Sequence, residues 1–211
     1  MPLKRERRAV RRGLEREVPV MDSTAQEPRR YTYGDLMEWD DGRRYELYDG
    51  LPVALASPSN VHQLVLMELA AQLHDFLKGK PCKVYPAPFD VRLFDTAEDR
   101  PEDSENVVQP DLMVVCDPSK VDRHGIHGAP DLVIEITSPS TRRNDRLVKF
   151  NRYQRAGVRE YWIVDPDTRI VLVHTLEEGQ YHAADAYTVG AQVPVGIFED
   201  FRSDLAPVFP E

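Results

Sequence analysis

A glutamate stands inside an apolar segment that has the composition of a buried β-strand. Residues 132–137, within the stretch APDLVIEITSPS, are dominated by Leu, Val and Ile, and Glu135 is the single charged residue among them. Burying an ionised carboxylate costs several kcal/mol unless the group is protonated, paired with a cation or bound to a metal ion. The sequence therefore predicts a partner for Glu135, and that partner defines the candidate chemistry.

Two aspartates compete for the place beside Glu135. Asp131 is four residues away along the same strand, about 13 Å at roughly 3.3 Å per residue, which is too far to share one ion. Asp111 begins the preceding predicted strand, and pairing of the two strands would bring its carboxylate close to Glu135. We therefore predict that Asp111 and Glu135 form the pair.

Two carboxylates side by side require a shared proton or a cation. At a separation of about 4 Å and an effective dielectric constant of about 20, they repel each other by roughly 4 kcal/mol. Because the available ligands are oxygens, the site favours a hard cation such as Mg²⁺ or Mn²⁺.

The elements that must position these acids are short helices and strands in mixed order. Thr32 begins a capping-box pattern for a short helix, and Asp49-Gly50 has the sequence of a hairpin turn. An amphipathic helix follows the segment SPSN and ends at Gly79, and a second helix spans residues 144–156. Extended segments are predicted at 82–94, 107–119, 129–140, 159–176 and 180–189. Together they predict an α/β (α+β) domain.

The 211-residue chain is acidic, but its first 30 residues are basic. The formal net charge is -9, yet residues 1–30 hold 9 Lys and Arg against 5 Asp and Glu. This segment has no apolar stripe, so it is predicted to be a disordered arm, followed by a single domain over residues 31–211. The arm either contacts phosphates or precedes a true start at Met21.

The two cysteines and the hydropathy pattern indicate a soluble, cytoplasmic protein. Cys82 and Cys116 lie in apolar surroundings without metal-ligand spacing, so we expect reduced core thiols. No apolar stretch approaches the roughly 20 residues that a membrane span needs, and the N-terminus lacks the apolar centre of a signal peptide. No membrane partner is therefore expected.

Five features in a fixed order resemble one known family. They are Glu46, then SPSNVH, QPDLMVV, APDLVIEITSPST and DRLVKFNRYQRAGVREYWIVDP. Over roughly residues 31–205 this order resembles the Uma2-like restriction endonucleases, a branch of the PD-(D/E)XK nuclease superfamily. The resemblance implies a restriction-endonuclease-like mixed sheet flanked by helices. It also implies that Asp111 is the Asp of the Pro-Asp motif, that Glu135 is the second acid and that Glu46 is the third.

The resemblance further implies a lysine that this strand lacks. The superfamily places a lysine two residues after the second acid, where this chain has Thr137. Lys149 is expected to replace it, because Asp145, Lys149 and Tyr153 lie at i, i+4 and i+8 on one helix face. The alternatives are a solvated Lys149 paired with Asp145, and a Tyr153 that only packs in the core. His62 either reaches the site or is a capping or surface residue.

The predicted function is that of a metal-dependent endonuclease that hydrolyses phosphodiester bonds in DNA. The predicted catalytic residues are Asp111, Glu135 and Lys149. The predicted ligands of Mg²⁺ or Mn²⁺ are Asp111, Glu135, Glu46 and the backbone carbonyl of Ile136. The alternatives are a non-catalytic DNA-binding or assembly module of the same fold and a hydrolase of small phosphate esters. A homodimer would concentrate the basic residues along one cleft, namely Arg142, Arg143, Arg146, Arg152 and Arg155.

Overall fold

The computed structural model describes residues 28–210, so the predicted basic arm falls almost entirely outside the described residues. The helices are α1 (Tyr33–Glu38), α2 (Asn60–Leu77) and α3 (Phe150–Ala156), and a π-helical turn, Asn144–Lys149, leads directly into α3. The strands β1 to β15 span, in order, Tyr45–Tyr48, Leu51–Ala54, Lys83–Pro86, Val91–Arg92, Val107–Val108, Leu112–Val115, Val121–Asp122, Gly125–His127, Leu132–Ile136, Glu160–Asp165, Ile170–Glu177, Gln180–Tyr181, Asp185–Thr188, Gln192–Pro194 and Arg202–Asp204.

Thirteen of these strands form two mixed sheets. The smaller sheet has the order β2-β1-β5-β4-β8-β7, and the larger has the order β12-β11-β10-β9-β6-β3, with β13 also paired to β11. In the larger sheet β9 and β10 are parallel, while β6 runs antiparallel to β9. The predicted mixed sheet flanked by helices is confirmed, and the structure adds a second sheet beside it.

The centre of the larger sheet is buried on both faces. Every residue of β9 and β10 is buried. Ile134 and Ile136 pack into the core that faces α2, whereas Val133 packs on the other side with Tyr153 of α3. Side chains alternate along a strand, so Glu135 lies on the face of Val133 and projects toward α3.

A π-helical turn stands where β9 crosses over to β10. The Phe150 amide donates to the carbonyl of Asp145, five residues earlier, and to that of Leu147. Such turns are rare and often occur at functional sites. This one buries Asp145 and Lys149 against the sheet. The predicted helix over 144–156 is therefore present, but its first half, residues 144–149, is π-helical rather than α-helical. It ends as predicted at Gly157, which has a φ of 89°.

The local signals at the other helices and at the hairpin are confirmed. Thr32 and Asp35 form the capping box of α1, and the Ser59 side chain accepts from the His62 amide at the start of α2. The turn at Asp49-Gly50 joins β1 and β2 in antiparallel register. Among residues 28–210, no helix combines the length and apolar character needed to cross a membrane.

The prediction that Cys82 and Cys116 are reduced core thiols is wrong, because the structure joins them in a disulfide. The reason lies in strand pairing across 34 residues of sequence. Lys83 of β3 stands opposite Val115 of β6 in antiparallel register. The two cysteines flank this pair and therefore also face each other, which their spacing along the chain does not reveal.

Candidate active site

Asp111 and Glu135 meet where β6 begins and β9 ends. In the antiparallel register Leu112 stands opposite Ile134, which brings Asp111 beside the last residues of β9. The Ile136 amide donates to Asp111 Oδ2 at 2.8 Å. Ile136, which was predicted to contribute its carbonyl, thus contacts Asp111 through its N–H. The predicted pairing of Asp111 with this strand agrees with the observed geometry.

Asp131 lies at the other end of β9, as expected from strand length. Its carboxylate accepts from the Cys116 amide at 2.7 Å and from Arg159 at 3.2 Å. Both contacts belong to the far rim of the sheet. Asp131 is therefore a structural aspartate that offers a control for experiments on Asp111.

The ammonium group of Lys149 lies between two carboxylates from different sheets. Its Nζ is 2.9 Å from Glu46 Oε1 on β1 and 3.0 Å from Glu135 Oε1 on β9. Lys149 is only 5% exposed, so the solvated-helix alternative is excluded. Because the π-helical turn carries Lys149, one side chain links both sheets and the crossover.

Two buried tyrosines hold the carboxylates in place. Tyr153 donates to Glu135 Oε1 at 2.6 Å, and Tyr48 donates to Glu46 Oε2 at 2.5 Å. Burial raises the pKa of both phenols, so they keep their protons and act as donors. Tyr153 therefore does more than pack in the core, because it contacts the predicted second acid directly.

Glu46 is already fully engaged by protein donors. Besides Lys149 and Tyr48, the backbone amide of Gln109 donates to Glu46 Oε1 at 2.9 Å. By contrast, within residues 28–210 no hydrogen bond reaches Glu135 Oε2 or Asp111 Oδ1. In the same range no three His, Cys, Asp or Glu side chains converge on one point where a metal ion could sit. The structure thus brings Asp111 and Glu135 together, each with one carboxylate oxygen that accepts no hydrogen bond from the described residues. Glu46 is linked to Glu135 through Lys149.

Two buried polar atoms near this pair have no hydrogen-bond partner among the described residues. They are Nδ1 of His62 and Oγ1 of Thr137. The other ring nitrogen of His62 lies 3.1 Å from Asp111 Oδ2. Thr137 follows Glu135 by two residues and so lies on the same strand face. Of the two readings left open for His62, the structure supports the one in which it reaches the site.

The site holds more buried acid than buried base. Glu46, Glu135 and Asp145 are each at most 3% exposed, and Lys149 is the cation placed among them. Burial alone would lower the pKa of Lys149, but Glu135 and Glu46 outweigh it and raise the pKa well above its usual value, so the ammonium stays charged. Burial, opposed by Lys149 but assisted by Asp111, raises the pKa of Glu135 well above its usual range. The cluster therefore tends to take up a proton.

Most of the basic residues expected along a cleft form ion pairs within the domain. Arg142 and Arg146 lie 3.2 and 3.4 Å from the buried Asp165, and Arg152 lies 2.7 Å from Asp49. These contacts fix the crossover and the hairpin. The structure contains one chain, so the homodimer stays a prediction.

The sequence did not identify Tyr48, Gln109 and Asn144 as parts of the site. Asn144 donates to the Tyr48 hydroxyl at 3.0 Å, and Gln109 contacts Glu46 through its backbone. Tyr48 had a usable signal, since it lies two residues after Glu46 on the same strand face. A backbone donor such as Gln109 carries no signal in its residue type.

The pH dependence of stability tests the excess of buried acid. Burial, only partly offset by Lys149, raises the pKa of Asp145 to about 6. Between about pH 4 and pH 7 the unfolded chain loses this proton before the folded protein does, so stability falls as the pH rises. A rise of this size corresponds to about 3 kcal/mol. We expect the free energy of unfolding of Asp145→Asn, relative to that of wild type, to rise by about 3 kcal/mol between about pH 4 and pH 7. Urea unfolding in EDTA measures this difference.

Asp185→Asn, which removes an exposed carboxylate on β13, controls for the loss of charge. Parallel pH profiles for wild type and Asp145→Asn would contradict the excess of buried acid at the site.

Three comparisons relate this architecture to known proteins. The family model described as "Uma2: Putative restriction endonuclease" matches residues 33–206. "Uncharacterized protein slr1290" of Synechocystis sp. is 26% identical over 151 residues, which cover 70% of this chain and 75% of that protein. A crystal structure from Anabaena variabilis, described as "a putative nuclease belonging to DUF820", has the same fold. It superposes with a TM-score of 0.65 at 18% identity, covering 83% of this chain and 94% of that one. The match to the family model spans most of the sequence, and the chain therefore belongs to the Uma2 family.

Proposed function

We propose that this protein is a metal-dependent endonuclease that hydrolyses phosphodiester bonds in DNA. One observation carries the proposal: Asp111 and Glu135 lie together with open oxygens, and the charged Lys149 is bound to Glu135. The Uma2 family model, described as "Putative restriction endonuclease", supports the same reaction class. Acids and a lysine in this arrangement suit the stabilisation of negative charge on a phosphate.

The residues present fit a hard divalent cation. The donors are carboxylate oxygens, which Mg²⁺ and Mn²⁺ prefer. The excess of buried acid over buried base at the site gives a cation a favourable electrostatic environment. Asp111 and Glu135 would hold the ion. When bound, such an ion supplies Lewis-acid polarisation of a phosphate and lowers the pKa of a nearby water.

The protein's own residues would act as fixed charges and fixed donors. Lys149, held by Glu46 and Glu135, offers a charged N–H to a phosphate oxygen at the point where negative charge grows in the transition state. Tyr153 keeps Glu135 oriented, and the Ile136 amide keeps Asp111 oriented. Because these partners are in place before the substrate arrives, no reorganisation is needed during the reaction.

Cleavage of plasmid DNA tests the proposal directly. Wild-type protein with Mg²⁺ or Mn²⁺ should nick or linearise the plasmid, and EDTA should abolish the reaction because the acids alone cannot activate water. Asp111→Asn should be inactive, whereas Asp131→Asn, at the other end of β9, should cleave like wild type. Cleavage that persists in EDTA would refute metal dependence. If Glu135→Gln and wild type bind DNA equally and neither cleaves under any metal, the non-catalytic binding module is favoured.

Glu135→Gln, which removes the charge of Glu135, distinguishes a metal site from a structural salt bridge. In EDTA, Glu135→Gln should be at least as stable as wild type, because Gln keeps the shape and Lys149 keeps its contact with Glu46. Added Mg²⁺ should stabilise wild type by up to about 2.7 kcal/mol at a hundredfold excess over the dissociation constant, and should do little for the variant. Thermal melting measures both effects.

If Glu135 only forms a structural salt bridge, metal-free Glu135→Gln should be less stable than wild type. Removing one partner of a buried pair typically costs about 3–5 kcal/mol, so a large loss of stability in metal-free Glu135→Gln would argue against the metal site. Asp131→Asn should keep the metal response of wild type.

Lys149 should be required for turnover even when the protein is folded. Lys149→Met removes the cation that faces the phosphate, so cleavage should fall to background, with melting measured alongside to verify folding. Lys83→Met, which removes an exposed lysine of β3, is the matched control. Thr137→Lys in the Lys149→Met background should restore part of the activity, because Thr137 lies on the face of Glu135 and its Oγ1 is unpaired. Full activity of Lys149→Met would return Lys149 to a structural role.

A further inference from the structure

A concave surface shares one residue, Gln109, with the surroundings of the candidate active site. It is a cavity of about 180 Å³, open to solvent, between α1 and the start of β1. It is lined by the aromatic residues Trp39 and Tyr45 and by Arg43 and Arg44. The acidic Asp90 also lines it, and its carboxylate accepts from Gln109 and Tyr33. Aromatic and cationic side chains in one small cavity are the combination that binds a base and its phosphate.

One residue belongs to both the cavity and the site. The backbone amide of Gln109 donates to Glu46 Oε1, while its side chain lines the cavity. Arg44 also precedes Glu46 by two residues, so both side chains lie on the same face of the β1 segment. Gln109 therefore links the cavity to Glu46, although the acids themselves do not line the cavity.

Arg44 differs from the arginines that hold the fold together. Its guanidinium donates to the neutral Gln109 side chain at 3.2 Å, and among residues 28–210 no carboxylate lies within ion-pairing distance of it. Arg142 and Arg152, by contrast, each pair with an aspartate. Arg44 thus keeps a charge that a phosphate can neutralise, two residues before Glu46 in the sequence.

Trp39 is held in a fixed orientation but is not buried. Its ring packs edge-on against Tyr31 at 5.1 Å and against Tyr45 at 4.8 Å. Tyr45 is itself fixed by a hydrogen bond to Asp41 at 2.6 Å. An indole oriented before binding loses little entropy when a base stacks on it.

We propose that this cavity is a nucleotide subsite for a single-stranded DNA segment that adjoins the scissile phosphate. A base would stack on Trp39, and the phosphate attached to it would contact Arg44. The inference rests on the proposed function, since it extends the substrate of that same site by one nucleotide. Stacking does not depend on base identity. The subsite would therefore select substrates by strand conformation, not by base sequence.

Tryptophan fluorescence in EDTA tests the subsite without any cleavage. The chain has two tryptophans, and Trp162 is only 1% exposed, so a quencher in solution reaches Trp39 selectively. A short oligothymidylate should quench this emission. An abasic oligonucleotide of equal length has the same phosphates but no base, so it should quench little. Equal quenching by both probes would overturn stacking on Trp39.

Substitutions assign the two contacts separately. Measured by the fluorescence anisotropy of end-labelled probes, Trp39→Ala should weaken oligothymidylate binding by about 5- to 150-fold and leave abasic binding almost unchanged. Trp39→Phe, which keeps an aromatic face, should recover most of the affinity and controls for misfolding. Arg44→Gln should weaken both probes and reduce the salt dependence of binding by about 0.7 in slope. Arg202→Gln, which removes an exposed arginine on β15, is the charge control.

The outcomes separate this inference from the proposed function. If wild type cleaves DNA but Trp39→Ala binds oligothymidylate as tightly as wild type, the subsite is wrong and the nuclease stands. If oligothymidylate quenches Trp39 and the abasic probe does not, the subsite is supported even where no metal gives cleavage.

Discussion

The contact of one buried ammonium with two carboxylates organises this protein. Lys149 lies 2.9 Å from Glu46 in the smaller sheet and 3.0 Å from Glu135 in the larger one. The helical crossover that carries Lys149 is thereby fixed to both sheets. The relative placement of the sheets and the crossover is therefore set at this contact. The tyrosines and the Gln109 amide complete this contact. Tyr153 and Gln109 donate to the same oxygens as Lys149, and Tyr48 donates to the other oxygen of Glu46.

The same cluster is a poor way to stabilise a fold, which is an argument for function. Well-packed apolar residues often replace a buried ion pair at no cost in stability. Here several acids share one lysine, and burial raises the pKa of Asp145 to about 6. A protein that needed only a core would gain by losing these charges. Strongly perturbed acids next to a fixed cation are typical of sites where a charged ligand completes the electrostatics.

The sequence was informative wherever a short-range rule applied. Strand alternation and strand length were enough to choose Asp111 over Asp131 and to place Glu135 on a buried face. Helical spacing was enough to select Lys149, although a π-helical turn rather than an α-helical one carries it. The failures involve register between distant strands. The disulfide joins residues 34 positions apart, and the Gln109 amide reaches back 63 residues to Glu46, and no local pattern encodes either pairing.

With an acidic chain, the proposed DNA substrate must be bound through something other than overall charge. The formal net charge is -9, and Arg142, Arg146 and Arg152 are already paired with aspartates. Phosphate neutralisation over a wide surface, the usual source of affinity for duplex DNA, is therefore poorly supported. A divalent cation at Asp111 and Glu135 together with stacking on Trp39 would place the attraction at the reacting strand itself. Such a design favours an unpaired or distorted strand over regular duplex, because only an exposed base can reach an indole.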